Sequence, residues 1–233
     1  MACCSRQFHS DVFPYEYIVQ STEQSLRNLN IECVDLQQLH VWDPGWIERD
    51  EWKRAFEDLR TSGKIRFAGI SINDHQPESA VALVQSGLIE TVQVIYNIFD
   101  QSPETKLFPA ALQHQVGVLA RVPLDEGALT GAINENSQFA PDEFRAFYFR
   151  GDRKREVVER VSMLRKDLEG VSETLAQTAL RFCLSHPAVS TVIPGMRKVR
   201  NVESNCAVSD SGPLDEATLE KVRRHIWNKN YYS

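Results

Sequence analysis

The sequence predicts an α/β fold built on a parallel β-sheet. Short apolar runs alternate with longer helical patterns from Ile31 onward, and the runs are predominantly apolar, as expected for strands whose two faces are both covered. Repeated strand-to-helix units of this length are typical of parallel strands joined by helical crossovers. The five predicted strands are Ile31–Leu39, Ile65–Ile70, Thr91–Ile95, Val116–Val122 and Val189–Ile193.

Helical periodicity occupies most of the segments around these strands. The predicted helices are Tyr15–Asn30, Glu48–Ser62, one from about Pro77, one from Ser102, Lys154–Leu168, Ser172–Ser185, Val199–Val208 and Leu214–Ile226. Asn73 or Asp74 is the candidate cap of the helix near Pro77. Ser102 precedes a proline and an acidic residue, which favours a helix start there. Residues 123–151, rich in Gly, Asn, Asp and Phe, are predicted to be irregular.

Composition limits the class of protein. The 233 residues are 42% hydrophobic and 25% charged, so we expect one globular domain over residues 1–233, irregular at 1–14. No apolar run reaches the roughly 20 residues of a membrane helix, and the first ten residues lack the apolar part of a signal peptide. A net charge of −6 argues against a nucleic-acid partner, which would require a basic face.

The cysteines and histidines form no disulfide or metal-binding pattern. The five cysteines include no CxxC pair and are odd in number, which fits a reducing environment. The six histidines are scattered, without HExxH or other paired spacing. We therefore expect a cytoplasmic protein without a metal site.

Two architectures fit a parallel sheet of this kind, an open doubly wound sheet and a closed (β/α)8 barrel. An open dinucleotide-binding sheet is expected to carry GxGxxG after its first strand, and this chain has no such motif. A barrel needs eight strands, whereas five are predicted and none precedes Ile31. The sequence therefore predicts an incomplete (β/α)8 barrel that lacks its N-terminal strands.

A basic cluster follows the last predicted strand. Gly195 is expected to turn the chain and a helix to begin near Val199, so free backbone N–H groups would face a ligand. Arg197, Lys198 and Arg200 lie in this segment of an otherwise acidic chain. Barrel enzymes often bind phosphate after their last two strands. The cluster therefore favours a phosphate-bearing ligand, with a solvated basic face as the alternative.

Four segments, in order along the chain, resemble the aldo/keto reductase family. They are residues 21–40 (STEQSLRNLNIECVDLQQLH), 62–71 (SGKIRFAGIS), 92–97 (VQVIYN) and 191–205, which begins TVIPG. The resemblance implies a (β/α)8 barrel that transfers hydride between a nicotinamide cofactor and an aldehyde, ketone or alcohol. It favours NADP(H) over NAD(H), because Arg197 would meet the adenosine 2′-phosphate.

The resemblance assigns a catalytic role to one residue of this chain. The family uses an Asp, a Tyr, a Lys and a His, and only His40 matches, at the predicted C-terminal end of a strand. The family segment that carries the other three would lie upstream of Tyr15. Apart from the resemblance, the alternative for His40 is a histidine whose hydrogen bonds are satisfied in the core.

The resemblance also implies which residues hold the nicotinamide carboxamide. Ser71, Asn73 and Gln93 would do so, since this group needs both a donor and an acceptor. Ser and Asn after a strand are also common loop caps, and this is the alternative for Ser71 and Asn73.

Arg121 matches a position at which many family members stack an aromatic ring on the nicotinamide. A planar guanidinium can also stack on a ring, and the alternative is a surface salt bridge with Asp125 or Glu126. The other expected cofactor contacts are Leu124 in the pyrophosphate loop 123–131, Gly195, Asn201 and Asn205.

Two classes of function fit these observations. The first is an NADPH-dependent reductase of a small-molecule carbonyl substrate, and the second is a non-catalytic cofactor-binding or interaction subunit. Unpaired edges of an incomplete barrel would need cover, by a homo-oligomer or a partner chain. The aromatic residues of segment 134–150 are expected either to wall an apolar substrate pocket or to pack on the barrel: Phe139, Phe144, Phe147, Tyr148 and Phe149.

Overall fold

A computed structural model describes residues 13–232 of the chain as an α/β fold around one sheet. The strands are β1 (Val34–His40), β2 (Ile65–Ser71), β3 (Thr91–Ile95), β4 (Gly117–Arg121) and β5 (Val189–Val192). They are all parallel and lie in chain order, each paired with the next. The predicted parallel α/β class is therefore correct, and each predicted strand is present with its ends within three residues of the prediction.

Helices connect these parallel strands as crossovers. The α-helices of the described residues are α1 (Tyr15–Leu29), α2 (Asp50–Thr61), α3 (Val81–Ser86), α4 (Leu107–Gln113), α5 (Phe144–Tyr148), α6 (Arg153–Asp167), α7 (Leu175–Leu184), α8 (Val199–Ala207) and α9 (Glu216–Arg223). Helix α7 begins with a capping box, in which Thr174 and Gln177 bond reciprocally. The segment predicted to be irregular contains the short α5 and a 3-10 helix, Asp125–Thr130.

The helices α3 and α4 begin later than their sequence signals predict. Short 3-10 helices, Pro77–Ala80 and Ser102–Glu104, precede them, and neither α-helix has a side-chain cap. The predicted caps Asn73 and Asp74 instead bond to the loop after β1 and to Arg121. Ser102 donates its hydroxyl to Asp100. The cap predictions were wrong because these side chains have partners on neighbouring loops.

The core lies between the helices and one face of the sheet. Leu39, Ile70, Val92 and Val118 follow one another in register across β1 to β4, and all four are buried. Burying each such side chain contributes about 1.5–3 kcal/mol relative to exposure. Large apolar residues at helical spacing on α2, of which Phe56 is one, pack against this face of the sheet and form part of the core.

The opposite face of the sheet is partly open. Phe67, in register with Leu36, is 51% exposed, and β5 has no fully buried residue. Within residues 13–232, β1 pairs only with β2 and β5 only with β4, which leaves one edge of each unpaired. The expectation that both faces of the strands are covered is therefore wrong at Phe67 of β2 and along β5, within the described residues.

Gly69 allows β2 and β3 to approach on this face. A Cβ at Gly69 would overlap Thr91 Oγ1 and lie 2.9 Å from the Thr91 carbonyl oxygen. We expect Gly69→Ala to lower the free energy of unfolding by about 2 kcal/mol, because the strands must separate. Urea unfolding measures this, with Gly195→Ala as the control, since a Cβ there meets nothing within 4 Å. Equal unfolding midpoints for the two variants would show that the sheet relaxes at no cost.

The described residues add two facts on cysteines and helix length. Cys33, Cys183 and Cys206 are free thiols, while Cys3, Cys4 and all but the last two residues of segment 1–14 lie outside the described residues. No helix within residues 13–232 combines the length and the apolar character needed to cross a bilayer.

Candidate functional site

The expected site residues lie along the edge of the sheet at which the strands end, here called the C-terminal edge. His40 pairs with Ser71, Ser71 with Gln93, Gln93 with Leu119, and Leu119 with Thr191. Because all strands run in the same direction, this row marks the C-terminal side of the sheet. The loops that follow β1, β2, β4 and β5 therefore emerge at the same edge. This placement allows one extended ligand to contact both His40 and the segment after β5.

Several backbone positions at this edge adopt the left-handed region. Val41 (φ 78°) and Val122 (φ 54°) each follow directly on a strand, and β-branched residues rarely accept such angles. His75, Asp125 and Glu126 in the adjoining loops also have positive φ. Local strain of this kind is retained where the surrounding structure imposes it, and it is common at functional sites. These strained positions therefore favour a ligand site at the C-terminal edge.

His40 ends β1 with its side chain free. The residue is exposed and its ring makes no hydrogen bond or ion pair with any residue in 13–232. It is therefore not the core histidine of the alternative interpretation. An imidazole in this position can present an N–H to a ligand oxygen.

Ser71, at the end of β2, and Gln93, within β3, form a polar pair. Gln93 Nε2 donates to Ser71 Oγ at 3.5 Å, and Ser71 is buried. At this length the hydrogen bond is weak, so the amide of Gln93 and the hydroxyl of Ser71 can each bond to a ligand instead. Together they supply the donor and the acceptor that a primary carboxamide needs.

Asn73 does not share this freedom. Its Nδ2 donates to the Trp42 carbonyl at 2.8 Å, and its Oδ1 accepts from Trp42 N at 3.4 Å. The side chain therefore ties the loop after β2 to the loop after β1. This is the loop-capping role that the sequence left open, and it competes with a ligand contact.

Arg121 ends β4 in a fixed position. Its Nη2 donates to Asp74 Oδ1 at 2.5 Å and to the Ile72 carbonyl at 3.1 Å, and its side chain is largely buried. The expected alternative, a surface pair with Asp125 or Glu126, is wrong in its partner, because Asp74 is closer. Its Nε is buried without a protein partner.

The loop after β4 is anchored by a buried ion pair that the sequence did not reveal. Asp125 accepts from Arg153 Nη2 at 2.7 Å and from the Tyr148 hydroxyl at 2.5 Å. The side chains of Arg153 and Asp125 are 3% and 6% exposed. Leu124, half-buried against the core, immediately precedes this anchor. The loop expected at the pyrophosphate thus has a rigid base.

A histidine–aspartate pair lies beside this loop. His75 Nδ1 and Asp100 Oδ2 are 2.6 Å apart, and His75 Nε2 is buried without a protein partner. Burial acts to raise the pKa of Asp100, but hydrogen bonds from His75 and Ser102 outweigh it and hold that pKa below its usual value. The carboxylate is therefore the stable form in the folded chain.

This lowered pKa predicts an acid-dependent loss of stability. A carboxyl group whose pKa is lower in the folded chain stabilises the fold above the unfolded value of about 4 and loses that contribution as the pH falls through the folded value. We expect Asp100→Asn to be less stable than the parent at neutral pH, and this gap to shrink below about pH 4. Urea unfolding across this range measures the gap, with the exposed Asp142→Asn as the charge-matched control. A gap that stays constant with pH would contradict the assigned hydrogen bonds.

The segment after β5 is open to solvent and uncapped. Lys198 precedes α8 without a side-chain cap, so the first N–H groups of α8 are available to a ligand. Gly195 has no positive φ, and a Cβ at this position would meet no atom within 4 Å, so there is space for a ligand beside its Cα. Asn205 Nδ2 donates to the Gly195 carbonyl at 3.5 Å. Arg197 is exposed, as a phosphate-binding arginine must be before binding.

Asn201 lies in the first turn of α8. It is half-buried, and its backbone N–H donates to the Lys198 carbonyl at 2.8 Å. Its side chain lies on the same helix as Asn205, four residues along, so the two amides share a face. This spacing suits contact with one side of a planar base.

The aromatic residues of segment 134–150 divide into two groups. Tyr148 and Phe149 are buried, and Phe139 stacks on Phe149 with ring centroids 5.3 Å apart. Phe144 and Phe147 are exposed. The packing alternative therefore accounts for the first three residues, and only the last two remain available to a ligand.

Comparison with known proteins identifies the family. The model of the aldo/keto reductase family matches residues 6–226, and the chain belongs to that family. It is 30% identical over 215 residues to the uncharacterized oxidoreductase YqkF of Bacillus subtilis, covering 90% of this chain and 65% of that protein. It is 29% identical to a probable voltage-gated potassium channel subunit beta of Arabidopsis thaliana, covering 92% of this chain and 68% of that one.

Solved structures agree with this assignment. The holo form of the aldo-keto reductase AKR11C1 from Bacillus halodurans superposes with a TM-score of 0.74 at 25% identity, over 94% of this chain and 69% of that one. The chain spans 65% of YqkF, and 56% of the aldo-keto reductase YhdN of Bacillus subtilis. Two further relatives are named for different cofactors, the aldo-keto reductase yakc [NADP(+)] of Schizosaccharomyces pombe and the NADH-specific methylglyoxal reductase of Escherichia coli.

Proposed function

We propose that this chain is the cofactor-binding part of an NADP(H)-dependent oxidoreductase that reduces a small aldehyde or ketone, or oxidises the corresponding alcohol. The observation that carries this proposal is the shared edge. The register from His40 to Thr191 puts the polar ends of β1 to β3 and the basic segment after β5 on one side of the sheet. Family membership supplies the reaction class.

The nicotinamide end would lie over β1 to β4. When bound, the cofactor supplies the hydride. Ser71 and Gln93 would orient its carboxamide, because both retain an exchangeable hydroxyl or amide there. Arg121 would lie against the ring, held in place by Asp74. Asn73 would join this set only if its bonds to Trp42 were exchanged.

The phosphate end would lie at the loops after β4 and β5. Leu124 and Gly195 would place backbone near the pyrophosphate, and the uncapped start of α8 offers N–H groups to an anion. Arg197 would pair with the 2′-phosphate of NADP(H), which is the basis for preferring it to NAD(H). Asn201 and Asn205 would then contact the adenine.

His40 would face the carbonyl oxygen of the substrate. Negative charge develops on that oxygen during reduction, and a donated N–H stabilises it. We assign no residue of this chain to the roles of the family's Asp, Tyr and Lys, so the proposed set holds no proton donor. We infer that the complete site includes residues outside this set.

The open face and the two unpaired edges support the interpretation as part of a (β/α)8 barrel. Three strands between β5 and β1 would close the sheet and cover Phe67. Within residues 13–232 neither edge has a partner strand, so a further strand of this protein, a second copy or a partner chain could pair there.

A turnover assay tests this proposal. Purified chain is mixed with NADPH and a generic aldehyde, and the loss of reduced cofactor is followed against a protein-free blank. We expect binding of NADPH, detected by its fluorescence, with little or no turnover. Turnover at the ordinary enzyme rate of about 1 per second or more would show that a proton donor is present in the chain.

A second candidate is a non-catalytic cofactor-binding or interaction subunit. The likeness to a probable potassium channel subunit beta favours it. The two candidates differ in one measurable respect. Fusing the N-terminal barrel strands of an active relative to this chain would give turnover in the first case and not in the second.

A further inference from the structure

The segment after α9 folds back over the C-terminal edge of the sheet. Trp227 N donates to the Phe99 carbonyl at 2.8 Å, and the rings of these residues meet edge to face. Tyr231 then donates its hydroxyl to Glu156 on α6 at 2.7 Å. These contacts place the next residue, Tyr232, against the loop after β4.

Tyr232 occupies an aromatic niche and bonds to that loop. Its ring stacks on Phe144 with centroids 5.7 Å apart and meets Tyr148 edge to face at 5.1 Å. Its hydroxyl donates to Glu126 Oε1 at 2.9 Å. Among the described residues this is the only hydrogen bond of the Glu126 side chain, which is half-buried. Without it, a partly desolvated carboxylate would lose its donor.

The two acidic residues of the loop are held differently. Asp125 is fixed by the buried Arg153, whereas Glu126 is fixed by one bond to a half-buried tyrosine. Glu126 and Gly127 lie outside helical geometry, with φ of 53° and 103°, and Gly131 also has positive φ. The loop therefore has a rigid base at Asp125 and a weaker tie beyond it. Elements held by few contacts are those that open locally.

We propose that Tyr232 is a latch that holds residues 126–131 closed and thereby controls release of the cofactor. The second part rests on the proposed function, in which this loop covers the pyrophosphate. With the latch closed, Glu126 stays bonded and the loop keeps one conformation. Release of the hydroxyl frees the loop to pivot about Asp125 and lets the phosphates leave.

Two conservative variants separate the latch from general packing. Tyr232→Phe removes the hydroxyl and keeps the ring on Phe144. Tyr231→Phe, the matched control, removes the neighbouring hydroxyl, whose partner Glu156 is not in the loop. Both keep the aromatic contacts, so both are expected to fold.

Hydrogen exchange in the ligand-free chain tests the latch itself. We expect the amides of residues 126–131 to exchange about tenfold faster in Tyr232→Phe than in the parent, and unchanged in Tyr231→Phe, because a hydrogen bond to a charged group contributes roughly this much. Equal protection of this loop in all three proteins would overturn the latch.

Release of NADPH tests the link to the cofactor. Stopped-flow displacement should show dissociation about tenfold faster from Tyr232→Phe and unchanged from Tyr231→Phe. Faster exchange with an unchanged release rate would overturn the control of release. If the parent binds no NADPH, the proposed function fails together with that control, while hydrogen exchange still decides whether the latch exists.

Discussion

Replacing Arg153 with methionine is expected to lower the free energy of unfolding by about 3–5 kcal/mol, the usual cost of breaking a buried ion pair on one side only. Asp125 would keep the Tyr148 hydroxyl but lose its counter-charge in a site that water does not reach. The guanidinium also lies 3.7 Å from the Tyr231 ring centroid, so the variant removes a contact with the segment after α9 as well. Urea unfolding followed by circular dichroism measures the loss.

Arg155→Ala is the matched control two residues further along α6. Arg155 is exposed and pairs with Asp152 and Glu159 on the helix surface. Surface pairs of this kind contribute up to about 1 kcal/mol, so we expect a loss no larger than that. If the two variants lose the same amount, the Arg153–Asp125 pair does not anchor the loop as described.

Replacing Arg197 with alanine is expected to weaken NADPH binding by about ten- to a hundredfold and to leave NADH binding unchanged. A charge-assisted hydrogen bond contributes roughly 1.5–3 kcal/mol, and about 1.4 kcal/mol corresponds to a factor of ten. Only NADPH carries the 2′-phosphate that this side chain would meet. Fluorescence titration with each cofactor gives the two affinities.

Arg66→Ala serves as the control for loss of one positive charge. Arg66 is an exposed arginine near the start of β2, away from the C-terminal edge. It should leave both affinities unchanged. An equal loss of NADPH and NADH in Arg197→Ala would place this residue at the pyrophosphate rather than at the 2′-phosphate.

The sheet could be predicted from sequence because its signal is strong and local. Strands β1 to β3 are apolar runs that helical segments follow, and the short connections among β1 to β4 leave few possible topologies. The common edge of His40, Ser71 and Gln93 then follows from parallel strand direction alone. The family resemblance was needed to tell these polar residues from ordinary strand ends.

The loop contacts could not be predicted in the same way. Asn73 and Asp74 are residue types that often cap helices, but their partners, Trp42 in the loop after β1 and Arg121 at the end of β4, are more than 30 residues away in sequence. A cap is a local signal, and it fails when a tertiary partner competes for the same side chain. Only the folded structure shows which partner the side chain bonds to.

The buried ion pair was missed for a related reason. Arg153 lies in the charged run Gly151-Asp152-Arg153-Lys154-Arg155, which resembles a solvated helix start. Nothing in that run distinguishes the one arginine that turns inward. One weak signal is present in the sequence. Asp125 and Glu126 lie between Leu124 and Leu129, in a segment whose other residues are small.

Titration calorimetry of the intact chain with NADPH tests the central claim most directly. The claim is that the ends of β1 to β4 and the start of α8 form one nucleotide site. We predict binding of one NADPH per chain. A chain that is folded by circular dichroism yet releases no heat with millimolar NADPH would contradict the claim.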